Sequence, residues 1–188
     1  MNPRDLVNAC LLAAALVGAT VTAEHVVAHQ MFADTRAIVE FHRATDAYAF
    51  LHRQAERRIA TAHRKANEPL DIRAGELADA IVADRAQARG MNFFAPAVVA
   101  VFRELAARAV HAGCDAGELR SGVWELYHDV NSAATGSKPI AACIAKVLPD
   151  LPDELEYRSA GTVLLLVDHH ANLVVDVLPA LLAGSEIR

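Results

Sequence analysis

The stretch Asp34–Lys65 constrains this chain more than any other. It reads DTRAIVEFHRATDAYAFLHRQAERRIATAHRK and contains neither Gly nor Pro, so nothing in it breaks a helix. At 1.5 Å per residue it would make a rod about 48 Å long, enough to span a small domain. Phe41, Ala44, Tyr48, Leu51, Ala55, Ile59 and Ala62 recur at i, i+3, i+4 and i+7 spacing, which puts an apolar face along one side. The remaining helical segments must cover that face.

The segments that follow supply the cover. Pro69 ends the first helix, and Asp34 or Thr35 is the expected N-cap at its start. Ala74–Arg89 reads as a second helix closed by Gly90, with Leu77, Ala78, Ile81, Ala88 and Arg85 on one side. Pro96 opens a third, and Gly113 follows it. Asp115 and Glu118 have capping-box spacing, so a fourth helix is expected to run to about Asn131. Ser132–Lys138 reads as a flexible polar loop and Pro139–Leu148 as a short fifth helix. The pattern then changes. Leu155–Ser159, Thr162–Val167 and Leu173–Leu178 are short, β-branched and separated by turn residues. The expected fold is therefore mainly α. A bundle of about five helices is organised on one long N-terminal helix, with a small C-terminal antiparallel β meander at about 155–178.

Length and charge exclude some functions. The 188 residues suit one domain, and 54% are apolar, so the chain can bury a sizeable core. The net charge of −5 and the lack of an aromatic stacking platform argue against nucleic-acid binding. Leu6–Gly18 is an apolar run of signal-peptide length, and Val21-Thr22-Ala23 offers small residues for cleavage before Glu24. Residues 1–23 are thus expected to be a signal peptide, and 24–188 a single periplasmic or secreted domain. The alternative is an inner-membrane anchor over residues 6–23, the one membrane contact expected. In an oxidising compartment, Cys114 and Cys143 would either pair or remain as buried thiols.

Three sets of polar residues stand out. His25 and His29 are four apart, as are His42 and Asp46, and His52 and Glu56, which is a metal-ligand spacing on a helix. No HExxH or C-x-x-C element accompanies them, so solvated or structurally hydrogen-bonded histidines are the favoured reading. Arg85 lies on the apolar side of its helix and needs a partner, with Glu40, Asp46 and Glu56 as the expected carboxylates. The sharper alternative is a pocket for a small anionic ligand, built from Arg85 with Arg53 or Arg103. Asp168, Asn172 and Asp176 surround the last turn, where Asp and Asn cap the backbone. No nucleophile motif or phosphate loop is present, and no cofactor is expected.

The run from Leu77 through Ile81, Arg85, Ala88-Arg89-Gly90 and Phe94 to Val98 and Phe102-Arg103 resembles a group of exported bacterial proteins of unassigned function. So does the ending LPDELEYR, Gly161, LLLVDHHANLVVDVLP. The resemblance implies compartment and architecture, and brings no catalytic residue with it. The expected function is accordingly that of a non-catalytic envelope protein binding an unknown protein or a small anionic ligand. Long amphipathic helices pair between subunits, so a homodimer is one arrangement to test. Two alternatives stand beside it. Exported chorismate mutases are similar in length and in their long first helix, with Arg53, Lys65, Asp71 and Arg73 as dicarboxylate-binding candidates, although the intervals differ. A histidine-based metal-binding protein is the other.

Overall fold

The computed structural model describes residues 3–66, 72–87, 92–117, 119 and 129–182, with side chains from residue 34 onward. The elements are α1 (Pro3–Ala66), α2 (Ala74–Gln87), α3 (Pro96–His111), β1 (Lys138–Pro139), α4 (Ala142–Ala145), β2 (Leu155–Ala160), β3 (Val163–Asp168) and β4 (Leu173–Leu178). The chain divides into two units, Met1–Arg36 and Ala37–Arg188. The first is helical from Pro3. All packing below belongs to the second. The helix expected over Glu118–Asn131 lies largely outside the described residues, as do Asp71 and Gly90.

The expected N-cap at Asp34 or Thr35 does not exist. The helix is already running there, because Glu24–Ala33 contains no Gly or Pro to stop it. Its apolar face is buried as the spacing requires: Phe41, Tyr48, Ala55 and Ile59 enter the main core with Leu77 and Ile81 of α2 and Val98 and Phe102 of α3. Phe102 is the hub of the aromatic contacts. Its ring lies 5.0 Å from Phe41, 5.5 Å from Phe94 and 6.0 Å from Tyr157, edge-to-face in each case. Pro96 begins α3, where its missing N–H costs no helical bond.

The C-terminal half holds a four-stranded antiparallel sheet in the order β1-β2-β3-β4, one strand more than expected. The extra strand comes from the segment expected to be a loose loop and the start of a helix. Lys138 pairs with Ser159 and Pro139 with Arg158. Upstream, the same segment bonds to the opposite edge. Asn131 N–H donates to Val174 O at 2.8 Å, Val174 N–H to Ser132 O at 2.8 Å, and Ala134 N–H to Asn172 O at 3.0 Å. Residues 131–139 therefore cross one face of the sheet from β4 to β2. Ala134 is buried there with Leu165, Val167 and Val174, in a second small core. Ser137 Oγ donates to Ala134 O at 2.5 Å, and Arg158 donates to Ser137 O at 2.8 Å, fixing the crossing. With the helices on the other face, β3 is covered on both sides, which is why its sequence is continuously apolar.

The fifth predicted helix shrinks to α4. Pro139 is in β1, and only Ala142–Ala145 is helical. A disulfide joins Cys114, just past α3, to Cys143 in α4. Closing that loop stabilises the fold by roughly 3–4 kcal/mol if chain entropy dominates.

Candidate functional site

Tyr48, His52 and Glu56 lie at i, i+4 and i+8 on α1, one above another. The turn between β3 and β4 meets them. Asp168 ends β3, and its Oδ1 accepts the N–H of Ala171 at 2.9 Å, the local bond that shapes the turn. Asn172 completes the turn with φ of 49°, a left-handed conformation that Asn tolerates. The other oxygen of Asp168, Oδ2, accepts the Tyr48 hydroxyl at 2.8 Å and faces His52 Nδ1 at 2.5 Å. Asp168 and His52 are each 0% exposed. A buried carboxylate is tolerable only with such full pairing.

The electrostatics follow from this enclosure. Burial works against the charged form of Asp168, but the His52 and Ala171 hydrogen bonds outweigh it and hold its pKa below the ordinary value. Burial likewise opposes the His52 imidazolium, while the hydrogen bond and charge of Asp168, with Glu56 beside it, raise the pKa. Tyr48 is pushed far up, first by burial and then by the negative charge of Asp168, so its hydroxyl remains a donor.

The far side of His52 is differently placed. Nε2 lies 3.3 Å from Glu56 Oε1, yet it is buried without an aligned hydrogen bond. His170, exposed in the turn, brings its ring centroid to 5.4 Å from that of His52. One ligating atom from each of His52, Glu56 and His170 falls within 4.8 Å of the others. Among the described residues this is the group whose donor set suits a metal. His169 instead faces the Asp153 carbonyl, with Nε2 at 2.7 Å.

The arginines singled out by sequence are engaged separately. Arg53 donates to buried Glu154 at 2.6 Å. Arg103 donates to Pro179 O at 3.1 Å. Arg85 does not meet the carboxylates expected on α1. It donates to Asn131 Oδ1 at 2.6 Å and to Val175 O at 2.9 Å, with its guanidinium 5.8 Å from the Tyr48 ring centroid. Its partner is the sheet, because a bulge opposite Leu166 and Val167 leaves the Val175 carbonyl outside the ladder. Burial lowers the Arg85 pKa, against the favourable charge of Asp176. Asp176 itself holds Phe94 N–H at 3.1 Å, so it anchors the lead-in to α3 and not the last turn.

His42 is half-buried with its ring 6.1 Å from Phe41, and Asp46 is exposed. The side chains of His25 and His29 lie outside the described ones. Sequence reasoning noticed His52 with Glu56, and Asp168 at the last turn, but as separate features. The separation of 116 residues between His52 and Asp168 hid the connection.

A second feature lies at the end of α1. Over residues 53–65 the sequence carries Arg53, Arg57, Arg58, Arg64 and Lys65 and a single carboxylate, Glu56, in a chain of net negative charge. A shallow groove of about 540 Å³ there is lined by Gln54, Arg57, Arg58, Thr61, Ala62 and Lys65. Arg58 pairs with Asp84 at 2.5 Å, tying this end of α1 to α2. Among the described residues, no helix is long and apolar enough to cross a membrane.

Set against known proteins, the chain matches no family, no curated sequence and no solved structure.

Proposed function

We propose that this is an exported, non-catalytic bacterial envelope protein that binds a small polyanion on the outward side of α1. The observation that carries this reading is the groove lined by Arg57, Arg58, Thr61 and Lys65. Arg57 and Lys65 are two turns apart, about 12 Å along the helix, a span that suits a ligand with more than one anionic group. The terminal cations have a simpler use as well, since they offset the negative end of the helix dipole. Arg57 sits too far from that end for the dipole to account for it. Export is supported by the apolar leader sequence, by the Cys114–Cys143 disulfide, and by the resemblance to exported proteins.

Calorimetric titration with citrate and tripolyphosphate at low salt tests the reading. Saturable binding is expected, weakening as salt rises and lost in the double variant Arg57→Glu, Lys65→Glu. Both side chains are exposed, so the variant should fold. Equal binding by wild type and variant, or no saturable heat from either polyanion, rejects it.

A further inference from the structure

His52 is held as metal-ligating histidines are held. Its Nδ1 faces a buried carboxylate that is itself anchored by Tyr48 and by the turn backbone. A neutral imidazole so placed carries its proton on Nδ1 and presents a lone pair at Nε2. That nitrogen is buried and lacks an aligned partner of its own. It lies 3.3 Å from Glu56 Oε1, and His170, from a different element, brings its ring centroid to 5.4 Å and a ligating atom within 4.8 Å of the group. The fold accounts for the Asp168 side of His52; it does not account for this one.

We propose that His52, Glu56 and His170 form a binding site for a divalent transition-metal ion of the zinc class. Two imidazoles and one carboxylate suit that ion, leaving one position for water. Ligands about 2.1 Å from a tetrahedral ion lie about 3.4 Å apart. The 3.3 Å between His52 Nε2 and Glu56 Oε1 already has that span. His170 is exposed in its turn and closes the remaining gap by side-chain rotation. Asp168 and Tyr48 then serve as positioning residues, fixing the His52 tautomer and ring. The site does not involve the cationic groove and stands or falls apart from it.

The test is a titration of the metal-free full chain with Zn²⁺ by calorimetry, and with Co²⁺ by visible absorption, whose band intensity reports low coordination number. One ion per chain is expected. His170→Ala is expected to weaken binding at least about tenfold, with the metal-free unfolding midpoint unchanged because the side chain is exposed. Glu56→Gln should weaken it as well, which separates ligation from a mere His52–Glu56 ion pair. Stoichiometry near zero overturns the proposal. So does wild-type affinity in His170→Ala, which would mean adventitious binding at other histidines.

Discussion

Tyr48 has two neighbours of opposite charge. Its hydroxyl donates to Asp168, and the Arg85 guanidinium lies 5.8 Å from its ring centroid. The residue thus joins the helix–turn network to the arginine that braces the sheet. Tyr48→Phe keeps the ring, which packs edge-to-face at 6.0 Å on Phe93, and removes one hydrogen bond to a buried anion. We expect a loss of about 1–3 kcal/mol, the usual cost of leaving a charged acceptor short of a donor. Urea denaturation should show a lower midpoint with an unchanged slope. Asp168→Ala is harsher, because it leaves a fully buried imidazole with no acceptor on Nδ1.

Among the elements, α2 shows how a charged residue on an apolar helix face is accommodated. The helix brings Arg85 to the bulge in β4, where the Val175 carbonyl has no ladder partner. The two irregularities satisfy each other. Arg85→Met keeps much of the volume while removing both donors, and should cost about 1–3 kcal/mol by stranding that carbonyl. Arg85→Glu should cost more, since it adds a negative charge beside Asp176. Thermal melts of the two variants side by side give the comparison; equal midpoints would contradict this account. The elements were legible to different degrees, and for identifiable reasons. The apolar stripe of α1, the Pro at the start of α3 and the short β-branched runs between turn residues carried strong local signals. The crossing segment 131–139 did not. Its backbone groups pair with two sheet edges, and nothing local distinguishes that from a solvated loop. The same limit applied to the site: i, i+4 spacing exposed His52 with Glu56, while the docking of a turn more than a hundred residues later had no local trace.

For the molecule as a whole, the buried pair makes stability depend on pH from both sides. The depressed Asp168 contributes stability that is present above its ordinary value of 3.8 and lost as pH falls through the lower folded value. The raised His52, which faces Asp168, Glu56, Tyr48 and His170, contributes below its ordinary 6.5, and that part fades as pH rises through the higher folded value. The metal-free chain should therefore be most stable between about pH 4 and 6.5, as a series of urea midpoints across pH would reveal. A midpoint that climbs steadily past neutrality would mean that His52 folds uncharged. The strap from Asn131 to Pro139 has a wider consequence. It occupies the outer side of β4 near Val174 and, through Pro139, part of the outer side of β2. Bare strand borders are templates on which other copies can add, and a proline there cannot extend the ladder. A protease cut within the strap is therefore expected to bare both borders at once and to invite strand exchange between copies, an outcome that light scattering of the nicked chain would register.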